Sequence, residues 1–387
     1  MRWYYWAEMT EPWCEPGTWQ YAYGRPGIVA EIKRKPADFV VDELLGFKLA
    51  GSGEHICLHL RKTGVTTRRV VSALSRYYSV RAGDIGYAGM KDRQGICSQW
   101  FSVYHPGTDA PDAAAWRETG VELLDVRRND RKLRLGSHQG NQFRLRLRNL
   151  QGDRREVERR LKKVAEQGVP NYFGEQRFGR NLSNLDAVSE LFSRMQAGGG
   201  TRPARRAAAN RGILLSAARS YLFNLVLSAR TARGIWDAYL EGDIMNLAGT
   251  RRVFEVQAWD EVLQNRLQSF DIHPTGSLYG VSAGNKAYAP SGECAALESA
   301  VMAAYPLLCR GLEALKVEAS RRSLRLLPQA LAWEWHKTDD LVLEFELPPG
   351  GYATAVLREI CVNRTNDEQA QSGGDKPDPL NREEGVN

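Results

Sequence analysis

After Asn141, the apolar side chains Phe143, Leu145 and Leu147 alternate strictly with Arg144, Arg146 and Arg148. Successive side chains of a β-strand point to opposite faces, so this run belongs in a sheet with one face buried and the other charged. The same period of two marks strands at 56–60, where Ile56, Leu58 and Leu60 alternate with Cys57 and His59. It recurs at 341–347, where Leu341, Leu343, Phe345 and Leu347 alternate with Val342, Glu344 and Glu346. Between these regions the spacing changes to three and four. Leu214, Ala218, Tyr221, Leu222 and Leu225 form one stripe along 213–228, and 154–167 and 296–318 read as helices for the same reason. The chain is therefore α+β, with a mixed or antiparallel sheet and a helix-rich middle. Gly198, Gly199 and Gly200, followed by Thr201, Arg202 and Pro203, mark a surface loop. Residues 1–27 read as an N-terminal arm rich in aromatics, Pro and Gly, and the polar stretch 362–387 as a disordered tail.

A chain of 387 residues accommodates two or three domains. Its formal charge of +7 favours a polyanionic partner. Arginine-dense stretches at 61–81, 127–134 and 202–211, interleaved with Tyr77, Tyr78 and Trp100, point to nucleic acid. Arginines contact phosphates and aromatics stack on unpaired bases. The six cysteines form no CxxC pair and no zinc-ligand spacing, so a reducing compartment is expected and a metal is not. Glu8, Glu11 and Pro12 break the aromatic N-terminus, which does not read as a signal peptide. No run of about 20 apolar residues offers a membrane span. The expectation is a cytoplasmic monomer without membrane attachment.

Several active-site signatures are missing: the GxxxxGK[ST] phosphate loop, GxGxxG after a strand, HExxH and GxSxG. The turn Gly51-Ser52-Gly53 reads as a hairpin loop, and His55, His59 and His138 as surface or packing residues. The stretch Gly86-Tyr87-Ala88-Gly89-Met90-Lys91-Asp92-Arg93-Gln94 differs in kind. Its glycines permit a tight backbone, and Lys-Asp-Arg sets one carboxylate between two cations. Neighbouring positive charge keeps an aspartate ionised against burial, as a nucleophile or base requires. Composition alone favours the plainer reading of a turn with an exposed ion pair.

These residues resemble the TruD family of tRNA pseudouridine synthases. The matching stretches are KRKPADFVVDE at 33–43, GYAGMKDRQGICSQW at 86–100, GNQFRLRLR at 140–148, VPNYFGEQRFGRNLSNL at 169–185 and PPGGYATAVLREI at 348–360. The resemblance implies a pseudouridine synthase fold, a mixed antiparallel sheet with flanking helices, interrupted by an inserted α+β TRUD domain. It puts 28–167 and 319–361 in the catalytic domain and 168–318 in the insertion. It implies tRNA as the partner, no cofactor and no metal, and uridine-13 of the D arm as the target. Asp92 falls on the catalytic aspartate and Lys33 on the basic residue that pairs with it. Asn141, Phe143 and Tyr352 fall on residues near the uridine pocket. Gly95 and Cys97 depart from the family pattern, where many members carry alanine and threonine.

The chemistry suits these residue types. Turning uridine into its C5-linked isomer breaks the C1′–N1 bond and needs no redox change or added group. A carboxylate must attack the sugar or base, or remove a proton from C2′, and sequence leaves these routes open. The uridine must leave its stack, which costs a few kcal/mol; an aromatic such as Phe143 can return about 1–3 kcal/mol. Two other readings compete: an RNA-binding protein of the same fold that has no catalytic role, and a carboxylate-dependent nuclease. Two-metal nucleases cluster several acidic residues.

Overall fold

The structure, a computed structural model, describes residues 13, 18–107, 111–198, 205–282, 289–337 and 339–364, excepting the side chains of 205–210. The tail expected to be disordered over 362–387 begins instead with a strand at 362–363 that pairs with residues 29–30; its part beyond 364, the loop around Arg202 and most of the N-terminal arm lie outside these residues. The chain forms two compact units. Of the described residues, a sheet unit takes those within 26–162, 329–350 and 360–364, and a helical unit takes residue 13 and those within 18–25, 163–328 and 351–359.

In chain order the strands begin with β1 (Val29–Ile32), β2 (Phe39–Leu44), β3 (His55–Thr63), β4 (Ile85–Tyr87), β5 (Ile96–Tyr104), β6 (Val121–Asn129) and β7 (Gly140–Gln151). They continue with β8 (Val169–Pro170), β9 (Ile244–Leu247), β10 (Val253–Glu255), β11 (Ile272–Leu278), β12 (Ser320–Ser323) and β13 (Arg325–Leu326). The last are β14 (Gln329–His336), β15 (Asp340–Leu347) and β16 (Val362–Asn363). The helices are α1 (Thr67–Tyr77), α2 (Arg154–Gln167), α3 (Ser183–Gln196), α4 (Arg205–Ala232), α5 (Glu261–Gln268), α6 (Gly292–Ala303), α7 (Pro306–Ala314) and α8 (Ala353–Arg358).

The sheet unit is built on the order β14-β15-β7-β2-β5-β3-β6, with β1 beside β7 and β16, and β4 beside β5. Pairing is parallel between β2 and β5 and between β1 and β16, and antiparallel elsewhere. The sheet is therefore mixed. Its register sets Phe345, Phe143, Val41, Cys97 and Lys62 side by side across five strands. In the neighbouring row stand Leu347, Asn141 and Glu43. Along β3 the same face buries Ile56, Leu58 and Leu60, which α1 covers with Val70, Ala73 and Leu74. Thr66 caps α1 by accepting from the Arg69 backbone N–H. The three arginines of β7 face the other way and are ion-paired: Arg144 with Glu344, Arg146 with Asp340 and Arg148 with Asp38. That row compensates its own sheet's carboxylates. Arg61, Arg69 and Arg127 likewise meet Glu122, Glu118 and Asp125.

In the helical unit α4 is the central element. Its length and composition would let it cross a membrane, yet two-thirds of its most apolar window is buried, so here it is a core helix. Tyr221, Leu222 and Phe223 pack with Phe178, Phe192 and Leu312. Near its end Arg230 makes a fully buried ion pair with Asp243 at 2.6 Å. The expected helix over 296–318 is two helices, α6 and α7. Proline has no N–H and clashes with the preceding turn, so Pro306 starts a new helix rather than continuing one. Residues 319–328 and 351–359, read from the sequence with the catalytic part, group here. β12 pairs with β11, and β13 pairs with β8.

The described residues of the N-terminal segment are also part of this core. Trp19 is 5% exposed and packs on Tyr172, Phe178 and Tyr221 with ring centroids 5.6–5.9 Å apart. Replacing it, Trp19→Ala, should lower the unfolding free energy by about 3–5 kcal/mol, measured by urea denaturation with circular dichroism. A loss below about 1 kcal/mol would show that the segment only rests on the surface.

Candidate active site

The segment singled out by its Lys-Asp-Arg sequence is the loop between β4 and β5, and it lies against the polar positions of an otherwise apolar sheet face. Four of those positions grip it. Lys62 on β3 donates to the carbonyls of Lys91 at 3.3 Å and Asp92 at 2.5 Å. Gln99 on β5 donates to the Gly89 carbonyl at 3.1 Å. Glu43 on β2 and Asn141 on β7 accept from the Lys91 ammonium at 2.8 and 2.7 Å. From α1, Thr67 accepts the Lys91 backbone N–H and donates to Gln99. Glu43 also accepts the Trp100 backbone N–H at 3.0 Å, so it ties the loop to β5.

So held, Asp92 turns its carboxylate toward Lys33, which directly follows β1. The two form a hydrogen-bonded ion pair, with side chains 22% and 20% exposed. Lys33 adopts a left-handed backbone, φ 59°, which costs an L-residue about 1–2 kcal/mol. Its ammonium also stands 3.9 Å from the centroid of the Phe39 ring. The other carboxylate oxygen accepts the Gln94 backbone N–H at 3.0 Å. Burial pushes the Asp92 carboxyl upward, but the Lys33 hydrogen bond and charge, with the N–H groups of Gln94 and Arg93, outweigh it and hold the group below the usual aspartate range.

The two cations flanking Asp92 in sequence are not its partners. Successive side chains of the loop diverge, sending Lys91 inward to Glu43 and Asn141 while Arg93 reaches the Gly64 carbonyl. The positive charge on Asp92 comes instead from a residue 59 positions earlier. Asn141 thus touches the cation next to Asp92, and its amide nitrogen lies 3.4 Å from His138 Nε2. Phe143 is 7% exposed, stacked on Phe345 at 5.4 Å and edge-on to Phe39 at 6.2 Å. Lys33, Phe39 and Phe143 therefore form one continuous contact. Tyr352 belongs to the helical unit, where its ring meets Phe173 at 5.8 Å. His55 and His138 are buried and His59 stacks on Trp100 at 4.7 Å, which are packing roles.

The two departures from the family pattern also have a place. Cys97 points its thiol at the Asp92 carbonyl, 3.5 Å away. Gly95 passes so close to β2 that a Cβ would stand 2.5 Å from the Phe39 carbonyl oxygen. Sequence inspection missed Lys62, Glu43 and Gln99. The signal was available for Lys62, because the alternation of Ile56, Leu58 and Leu60 continues to it and makes it an inward-facing lysine.

A carboxyl whose pKa falls on folding adds stability above its unfolded value, about 4, and that stability is lost as pH falls through the lower folded value. The Asp92 carboxyl carbon should accordingly titrate below pH 4 by NMR. In Lys33→Met the titration should move upward, because burial is then opposed only by backbone N–H groups. An unchanged titration would mean that Lys33 is not what keeps Asp92 ionised.

Comparison with known proteins assigns the chain by its sequence and its fold. The family model described as tRNA pseudouridine synthase D (TruD) matches residues 16–197 and 208–360, and so includes Trp19. The chain is 43% identical over 347 residues to a tRNA pseudouridine synthase D from Xanthomonas euvesicatoria pv. vesicatoria, covering 88% of this chain and 93% of that one. It is 44% identical over 351 residues to a protein of the same name from Nitrosococcus oceani, covering 89% and 95%. A crystal structure of a putative tRNA pseudouridine synthase D from Methanosarcina mazei superposes with a TM-score of 0.66 at 22% identity, covering 89% of this chain and 96% of that one. At that identity the superposition establishes a shared fold. With a match this extensive in both sequence and fold, the chain belongs to the tRNA pseudouridine synthase D family.

Proposed function

We propose that this protein isomerises uridine to pseudouridine in tRNA, at position 13 of the D arm, with Asp92 as the catalytic carboxylate and Lys33 as its paired cation. The observation that carries the reading is a half-buried aspartate kept ionised by one lysine, on a loop fastened to the sheet by buried polar side chains. A group poised this way is a competent nucleophile or base at neutral pH. It needs no proton removed before it acts. Asn141 and Phe143 are proposed to face the uridine, because both adjoin the Asp92–Lys33 pair through Lys91 and Phe39. The share of Tyr352 in substrate binding rests on the family resemblance. The family names of the relatives support tRNA as substrate.

The competing nuclease reading asks for several carboxylates around metal ions. Among the described residues no group of three or more His, Cys, Asp or Glu side chains is placed so that it could hold a metal ion. The binding-protein reading predicts that Asp92 is dispensable. Both are tested by release of tritium from tRNA labelled at uridine C5, since the isomerisation must expel that hydrogen. Wild type should release one tritium per modified uridine, and only from transcripts that keep uridine at position 13. Asp92→Ala should fall by at least about 10²-fold while its affinity for tRNA, set by phosphate contacts, stays within a few-fold. Release that survives Asp92→Ala, or release from a transcript with cytidine at 13, would overturn the assignment of the residue or of the target respectively.

A further inference from the structure

Lys62 is 1% exposed, one of the largest fully buried side chains among the described residues. An ammonium has three N–H donors, and here each meets a backbone carbonyl: Val65 at 3.0 Å, Lys91 at 3.3 Å and Asp92 at 2.5 Å. These partners are carbonyls and none is a carboxylate. Burial drags the pKa of Lys62 down, with Cys97 and Asp92 opposing the fall. A buried cation lacking a contacting anion is a poor way to stabilise a fold, and an apolar side chain of similar length is often as good or better. Stability does not explain a lysine at this place on β3.

Geometry does. The direction of a residue's Cα–Cβ bond is set by the two rigid peptide planes on either side of it. The carbonyl of Lys91 lies in the plane before Asp92, and the carbonyl of Asp92 lies in the plane after it. Lys62 grips one oxygen on each. We propose that Lys62 is the positioning residue of this site, fixing both peptide planes that flank Asp92 and thereby aiming its carboxylate. The carboxylate is then held at its far end by Lys33 and the Gln94 N–H. One lysine sets the backbone and the other the charged tip. Lys62 does not touch the substrate.

This inference rests on Asp92 being the catalytic group, and the experiment separates the two. Lys62→Met and Lys62→Gln are compared with wild type for thermal unfolding, for kcat and KM in the tritium-release assay, and for amide hydrogen exchange at Asp92, Arg93 and Gln94. Lys62→Met should unfold at or above the wild-type temperature yet lose about 10²-fold in kcat, the cost of misplacing a reacting group by about 1 Å. KM for tRNA should stay unchanged, and exchange at the three amides should quicken. Lys62→Gln, which keeps two N–H donors without the charge, should recover part of both kcat and protection. Wild-type kcat in Lys62→Met would overturn the proposal. So would activity lost only in proportion to lost folding in both variants. If wild type itself forms no pseudouridine, the functional reading fails. The exchange comparison still decides the inference, because unchanged protection in Lys62→Met would show that Lys62 does not hold these planes.

Discussion

An ionised carboxylate shielded from bulk water needs N–H donors or a cation against it, and a cation that serves must be fixed well enough not to wander into solvent. Here the requirement is met by Lys33, a residue on strained backbone at the end of β1, whose ammonium sits between the Asp92 carboxylate and the face of Phe39. The pair exists only because β1 runs beside β7, β2 runs beside β5, and the loop before β5 turns back over the sheet. A slip of one residue in β2 would send Phe39, Val41 and Glu43 to the opposite face. That would remove the aromatic surface under Lys33 and the carboxylate under Lys91 together. The register of the central strands is thus the constraint from which the site follows.

The polar interruptions of this face are costly in isolation. Glu43, Gln99, Lys62 and Asn141 are all buried, and each would destabilise the sheet if left without partners. Their partners are the loop and its immediate neighbours, Thr67, the Val65 carbonyl and the Trp100 N–H. Lys91 completes Glu43 and Asn141, and Gln99 takes Thr67 and the Gly89 carbonyl. Sheet and loop are therefore satisfied only in one arrangement. A buried network that is fully paired in one geometry and poorly paired in others narrows the ensemble to that geometry. The outcome is a rigid base for Asp92 built from side chains that would be liabilities in an ordinary core.

How much of this could be read in the chain beforehand depended on range. The strand at 143–147 and the helix at 154–167 follow from side-chain period alone, and both are present. Asp92 and Lys33 were legible through family resemblance, which carries information about contacts that a single sequence does not. Local inspection misjudged the partners of Asp92, because adjacency suggested Lys91 and Arg93 whereas the loop geometry directs both elsewhere. The row Arg144, Arg146 and Arg148 reads in the sequence only as a charged face; Glu344, Asp340 and Asp38, which come from β15 and from just before β2, meet it. Such pairings are set by strand order, and strand order is a long-range property. The helix expected over 296–318 divides for a local reason instead, because Pro306 lacks the N–H that a continuous helix would use there.

Cys97, the departure from the pattern that the family resemblance implies, has a physical reading. Cys97 occupies the row position between Val41 and Lys62, and its thiol points at the same Asp92 carbonyl that Lys62 holds. A threonine hydroxyl there would donate a stronger hydrogen bond to that oxygen than a thiol can. The weaker donor leaves more of the hold on this carbonyl to the lysine, whose contact with it is the shorter of the two, 2.5 against 3.5 Å. Burial also raises the thiol pKa, so Cys97 stays uncharged beside an ammonium and a carboxylate. Two side chains thus act on one atom. On that account the two positions are coupled, and a change at Lys62 should be felt more strongly in this chain than in a relative whose threonine shares the load.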